Sequence, residues 1–419
     1  MTTFDVDWVR SQFPALAIKV NGYPAAFFDG PGGTQVPQRV IDAMGLCLAA
    51  SNANTHGAFA TSRRADEVIA AAHAAMADLL GCDPEEIVFG PNMTTLTFAL
   101  SRALGRDLVP GDEIIVTRLD HDANVSPWTA LEERGCTIRF VDIHPEDCTL
   151  DMEELRRLVT PRTRIVAVGY ASNAVGTIND VAEVVRLAHA AGAVAYIDAV
   201  HYAPHGPIDV RSLDCDFLVC SPYKFFGPHS GVLFGKREHL LRLRPYKVRP
   251  ATNHLPGRWE TGTQNHEGMA GVTAAVEYLA DLGRRHSPEA HGQRVALLAA
   301  YHALRAYEQR LLGQLVPALL EIPGLTFYGI AEHARFHQRV PTVAVRIAGR
   351  SPRELAAYLG ERGIFTWDGN YYALNLSERL GVEPQGGMLR IGLVHYNTAE
   401  EVDRLLGALR ELATQKRIP

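Results

Sequence analysis

Lysine and cysteine are scarce in this sequence, and both are unevenly placed. The 419 residues contain five lysines, at positions 19, 224, 236, 247 and 416, against a much larger number of arginines. The six cysteines, at positions 47, 82, 136, 148, 215 and 220, have irregular spacings, so neither a metal site nor a disulfide framework is predicted. No cysteine follows residue 220, which leaves the C-terminal part of the chain without a thiol nucleophile.

The sequence also lacks long apolar runs and basic blocks. No apolar run approaches the roughly 20 residues that a membrane-spanning helix needs, and the first residues are acidic, unlike the start of a signal peptide. With a net charge of −6 and no Lys/Arg cluster, the chain has no field that would attract nucleic acid. We therefore expect a cytoplasmic protein that binds neither membrane nor nucleic acid.

What the sequence does contain is a regular alternation of strands and helices. The composition, 47% hydrophobic and 21% charged, is that of a globular protein long enough for two domains. Strands are predicted over residues 86–90, 112–117, 137–142, 164–170, 194–198 and 215–220, and helices over residues 65–80, 96–104, 126–134, 152–159 and 181–191. This order predicts an α/β fold, with a mostly parallel sheet covered by helices on both faces.

The C-terminal part has a different pattern. An Ala/Leu-rich helical region over about 268–318 is interrupted near Ser287-Pro288. Strands near 325–327, 340–347 and 388–391 and helices near 352–362 and 399–413 then predict a smaller α+β domain. The expected division is an arm over residues 1–25 that packs with the small domain, a large domain over 26–285, and the small domain over 286–419.

Polar residues follow four of the predicted strands, where ligands of a parallel sheet collect. They are Asp120 to Asn124, Ser172 and Asn173, Asp198 to His201, and Ser221 to Lys224. Lys224 alone among the lysines follows a buried-looking strand, where a desolvated amine could meet a carbonyl group. Taken by itself, it could also be a solvated loop lysine.

A turn of small polar residues, Pro91 to Thr95, precedes the helix predicted over 96–104. Its N–H groups and hydroxyls would point at one place, which favours an anion site. The alternative is a threonine that only caps the helix.

Together these residues match what pyridoxal phosphate (PLP) requires of a protein. Lys224 would form an imine, and Asp198 would pair with the pyridine nitrogen, although an aspartate at a strand end is also a common helix cap. The other candidates are His121 over the ring face, Asn173 or His201 at the phenolate oxygen, and Thr94, the Met93 N–H and Ser221 at the phosphate.

Several stretches resemble the class V aminotransferase family of fold-type I PLP enzymes, and within it the cysteine desulfurase-like group. The matching stretches are Asp120–Asn124, Ser172–Thr177, Ile197–Ala199, Ser221–Pro228, Glu260–Asn265 and Arg390–Thr398. The resemblance runs from about Phe28 to Glu401. It implies a seven-stranded, mostly parallel sheet, PLP as the cofactor, an amino-acid substrate and a homodimer with shared active sites.

The resemblance also assigns roles to single residues. Lys224 would be the imine lysine, Asp198 the partner of the ring nitrogen and His121 the stacking ring. Arg390 would bind the substrate carboxylate, for which its planar fork is suited. The remaining assignments are substrate contacts from Asn173 and Asn370, and a contact of Thr263 with the phosphate bound in the other subunit.

The chain departs from the desulfurase pattern at three positions. His201 stands where a glutamine is usual and Tyr223 where a histidine is usual, so the cofactor contacts would be rebuilt from these residues. In the loop Asp368–Ala373, Tyr372 lies near the position of the cysteine that carries sulfur as a persulfide. Tyr372 could donate a hydrogen bond to the departing sulfur or form a wall of the pocket.

We therefore expect a PLP-dependent lyase that cleaves the Cβ–S bond of cysteine or a cysteine S-conjugate without a persulfide cysteine. One alternative is a class V aminotransferase or an epimerase, because one fold supports several reactions. Another is a non-catalytic binding or sulfur-trafficking protein, against which the intact set of Lys224, Asp198 and Arg390 argues. The group attached to sulfur stays open.

Overall fold

The computed structural model describes residues 4–414, and a seven-stranded sheet lies at its centre. In sheet order the strands are Ile87–Gly90, Gly231–Gly235, Phe217–Cys220, Val194–Asp198, Thr163–Gly169, Glu113–Thr117 and Thr137–Val141. Gly231–Gly235 runs antiparallel to both of its neighbours, and the other pairs are parallel. The predicted α/β fold with a mostly parallel seven-stranded sheet is confirmed.

Helices cover this sheet, which is why its central strands are apolar along almost their whole length. Tyr196, Ile197 and Leu218 are fully buried, for example. The α-helices of the described residues are Val6–Ser11, Gln38–Ala50, Ala60–Leu80, Met93–Leu104, Ser126–Thr129, Met152–Leu158, Val181–Ala190, Val210–Leu213, Arg237–Arg242, His266–His286, Gln293–Leu320, Pro352–Gly360, Leu374–Arg379 and Ala399–Thr414.

The helix predicted over 96–104 begins three residues earlier, at Met93. The Asn92 side chain is its cap, since Oδ1 of Asn92 accepts a hydrogen bond of 2.8 Å from the Thr95 N–H. The alternative of a threonine cap is therefore wrong. Asparagine competes well for this position, and here it leaves Thr94 on the first turn of the helix.

The C-terminal part contains a second, antiparallel sheet, with the strands Leu325–Tyr328, Thr342–Ile347, Met388–Gly392 and Trp367–Gly369 in that order. The predicted interruption of the long helical region lies between His286 and Gln293. The two short strands Ile364–Phe365 and Trp367–Gly369 were not predicted, because two or three residues carry no readable periodicity. The remaining short strands form two-stranded pairs: Ala26–Phe27 with Ile364–Phe365, Lys19–Val20 with Tyr23–Pro24, and Ile143–His144 with Thr149–Leu150.

The first described residues pack against the C-terminal part of the chain. Arg10 forms an ion pair of 2.9 Å with Glu401, and the Phe4 ring stacks on Tyr307 with centroids 4.4 Å apart. The division into an arm, a large domain and a small domain stays a proposal. Within residues 4–414, no helix is both long and apolar enough to cross a membrane.

Candidate active site

A cavity of about 440 Å³ opens at the carboxyl ends of the central strands. It brings together nearly all the side chains that the sequence singles out: Met93, Thr94, His121, Asn173, Asp198, His201, Ser221, Tyr223, Lys224, Asn370, Tyr372 and Arg390. Thr263 does not line this cavity, and its side chain is exposed. Its expected contact with a second subunit stays a proposal.

Lys224 ends a short 3₁₀ turn, Pro222–Lys224, that follows the buried strand Phe217–Cys220. Its Nζ donates a hydrogen bond to the Pro31 carbonyl and lies 4.6 Å from the centroid of the Tyr223 ring. Burial lowers the pKa of Lys224 to about 7, and the charge of Arg390 acts in the same direction. The amine can therefore be neutral and nucleophilic near neutral pH.

The other described lysines lie outside the cavity. Lys19 is exposed, and Lys247 donates a hydrogen bond of 2.6 Å to the Ala251 carbonyl. Lys236 forms ion pairs with Asp214 and Asp216. Lys416 lies outside the described residues.

Asp198 ends its strand at the cavity and accepts a hydrogen bond of 2.9 Å from the Val200 N–H. Burial raises the pKa of Asp198 to about 6. Beside it, Asp120 is buried and accepts hydrogen bonds from the Gly169 N–H and the Asn124 amide. Burial and the charge of Asp198 raise the pKa of Asp120. Asp120 is one of the polar strand-end residues expected at a common site, and it lines the cavity, but the sequence assigned it no role.

His121 caps the turn Asp122–Asn124, where its Nδ1 accepts a hydrogen bond of 3.0 Å from the Ala123 N–H. This contact places the ring proton of a neutral His121 on Nε2. Burial lowers the pKa of His121 to about 4, with the charges of Lys224 and Arg390 in the same direction. The Tyr372 ring stacks on His121, with centroids 5.4 Å apart.

Several polar atoms around the cavity are buried without a hydrogen-bond partner in the described part of the protein. They are Ser221 Oγ, Asn173 Oδ1, His201 Nδ1 and Arg390 Nε. The N–H groups of the first turn of Met93–Leu104 also have no partner within their helix. A ligand with a phosphate and ring heteroatoms would supply partners, so the residues present fit PLP.

Arg390 lies on the strand Met388–Gly392, and its guanidinium donates a hydrogen bond of 2.9 Å to the Asn173 carbonyl. It also lies over the face of the Tyr371 ring, 4.3 Å from the centroid. Tyr371 is held from the other end, because its hydroxyl donates to the Met388 carbonyl. The support of Arg390 by Tyr371 was missed, since an unpatterned Tyr-Tyr pair gives no sign of which ring is buried.

None of the six cysteines, all of which lie in the described part of the chain, lines the cavity. Five are buried and Cys82 is half-buried. Burial raises the pKa of Cys148 to about 12, and it raises the pKa values of Cys215 and Cys220 further. Thiols of this kind are poor nucleophiles.

Comparison with known proteins gives one consistent result. The family model of class V aminotransferases matches residues 26–405. A cysteine desulfurase of Pectobacterium atrosepticum is 33% identical over 427 residues, which covers 98% of each chain. Among solved structures, a cysteine desulfurase of Thermococcus onnurineus NA1 has a TM-score of 0.87 at 26% identity, with 99% of each chain covered. A cysteine desulfurase of Escherichia coli has a TM-score of 0.83 at 29% identity, with 98% of each chain covered. The chain thus belongs to the class V aminotransferase family, and it is a PLP-dependent enzyme.

Proposed function

We propose that this enzyme cleaves the Cβ–S bond of cysteine or of a cysteine S-conjugate, and that it does so without a persulfide cysteine. The observation that carries the proposal is a cavity that holds Lys224, Asp198 and Arg390 but has Tyr372, and no cysteine, on its loop. The relatives named cysteine desulfurases support the class of substrate.

Bound PLP supplies an electron sink that stabilises negative charge on the substrate Cα. The protein's part is to hold the cofactor by Lys224, to place Asp198 at its ring nitrogen and to cover its ring with His121. Among the partnerless polar atoms, Ser221 Oγ suits the phosphate, and Asn173 Oδ1 or His201 Nδ1 suits the phenolate oxygen. Thr94 and the Met93 N–H would complete the phosphate contacts, and Tyr223 lies beside them on the cavity wall. We also propose that Thr263 of a second copy completes the phosphate site in a homodimer.

Arg390 binds the substrate carboxylate, because a buried guanidinium with a free Nε offers a bidentate contact. Lys224 Nζ, whose pKa is near 7, is matched to taking the Cα proton near neutral pH. With the charge held at Cα, the Cβ–S bond breaks and the thiol leaves with its electron pair and a proton. Addition of one water then gives pyruvate and ammonium, with no net oxidation and no second thiol.

The proposal is tested with PLP-loaded protein and three substrates: L-cysteine, S-methyl-L-cysteine, and alanine with a keto acid. We expect equal amounts of pyruvate and thiol from a cysteine substrate. Lys224→Ala should lose this activity, and its matched control Lys19→Ala should keep it. Amino transfer from alanine without pyruvate release from cysteine would contradict the lyase and identify an aminotransferase. Racemised substrate without thiol release would identify an epimerase.

A further inference from the structure

Two large rings lie exposed where the cavity opens. Trp367 is 52% exposed and Tyr372 is 73% exposed, and both line the cavity. We call this pair the aromatic entrance. Ligand-binding clefts are lined mainly by apolar and aromatic side chains.

Sheet register and one glycine place Trp367. It is the direct cross-strand partner of Arg390, so the two side chains project from the same face of the antiparallel sheet. A Cβ atom on Gly32 would clash with the Trp367 indole. Because Gly32 has no side chain, the indole can approach the turn Gly30–Gly32 closely.

Tyr372 is held in a conformation that costs free energy. Tyr371 and Tyr372 have φ values of 57° and 60°, a region that residues with a Cβ atom rarely adopt. Hydrogen bonds fix this pair: Asn173 donates to the Tyr371 carbonyl over 2.9 Å, and the Asp122 N–H donates to the Tyr372 carbonyl over 2.7 Å. One face of the Tyr372 ring consequently stacks on His121, and the remaining surface of the ring is exposed at the opening of the cavity. Strain kept at such a place points to function.

We propose that the aromatic entrance binds the substituent on the substrate's sulfur, and that this substituent is an aromatic or bulky apolar group. The inference rests on the proposed lyase function. A substrate bound through its carboxylate to Arg390 lies on the sheet face that carries Trp367, so a long side chain reaches the rings. Free cysteine ends at its thiol and leaves both rings in water.

The test compares kcat/KM for S-benzyl-L-cysteine and S-methyl-L-cysteine on PLP-loaded protein. We expect a preference for the benzyl substrate of roughly 10- to 100-fold. Trp367→Ala and Tyr372→Ala each lower this ratio about tenfold, whereas Tyr372→Phe, which keeps the ring, retains it. Tyr246→Ala is the matched control, because Tyr246 is 58% exposed and lies over Arg106 away from the cavity. Its ratio stays at the wild-type value.

Equal kcat/KM values for the two substrates would overturn the aromatic entrance and leave the lyase function intact. Absence of thiol release from every cysteine substrate would overturn the lyase function instead. The entrance is then tested by calorimetry with two uncleavable analogues, 2-amino-5-phenylpentanoate and norvaline, of which the first should bind about tenfold more tightly. A Tyr372→Ala variant with an unchanged substrate ratio and an altered oligomeric state in gel filtration would assign the rings to a subunit contact and overturn the proposal.

Discussion

Two regions of the cavity wall are held in different ways. Asp198 and Lys224 stand at the ends of buried strands, and the Asp198 strand is hydrogen-bonded to a neighbour on each side. Residues 370–372, which follow the short strand Trp367–Gly369, form a turn that is held by individual hydrogen bonds and includes two left-handed tyrosines. Together with Trp367, this turn leaves two large rings exposed. We infer that the sheet fixes the groups proposed for the chemistry, while Trp367 and the turn after it set which substrate fits.

The largest effect is expected from removing the amine of Lys224, which stands at the end of a buried strand. Lys224→Ala should lower turnover by about 10³-fold or more, because no other described lysine lines the cavity. The yellow colour of the PLP imine, which borohydride reduces, should be lost as well. Peptide mapping after borohydride reduction of the wild-type protein checks the site, and label on Lys236 or Lys247 would contradict it.

The next largest effect is expected at Arg390. Arg390→Ala should raise KM and lower kcat/KM by about 10²- to 10³-fold, because it removes the buried charge that we propose binds and orients the substrate. Arg346→Ala is the matched control, since Arg346 lies on the neighbouring strand and donates to the Gly387 carbonyl. An unchanged KM in Arg390→Ala would mean that another group binds the carboxylate.

The burial of Lys224 also predicts how the rate of PLP incorporation depends on pH. The pKa of Lys224 lies at about 7, lowered from 10.5, so the neutral amine predominates above pH 7 and is lost as the pH falls below it. Incorporation of PLP by the apoprotein should quicken about tenfold between pH 6 and pH 8 and then level off. Absorbance measurements check the rate, with circular dichroism to confirm an unchanged fold. A rate that rises steadily to pH 10 would indicate an ordinary, solvated lysine.

The same contrast explains how far sequence reasoning reaches. Asp198 and Lys224 could be predicted because an alternating order of strands and helices determines which residues lie at the strand ends. Met93 could not be predicted as a helix start, since the choice between Asn92 and a threonine cap depends on local geometry. The burial of Tyr371 beside the exposed Tyr372 could not be predicted either. It depends on hydrogen bonds to Asn173 and Met388, far away along the chain.

The central claim is that C–S cleavage here needs no cysteine of the protein, and it concerns the smallest expected effect. The most direct measurement replaces the six cysteines by Ser or Ala, one at a time, and follows thiol and pyruvate release by the PLP-loaded variants. Because the thiols are buried or half-buried and none lines the cavity, each variant should stay within about tenfold of wild type, a barrier change near 1.4 kcal/mol. Loss of activity in any one variant that still binds PLP would contradict the account and identify that cysteine as a relocated sulfur acceptor.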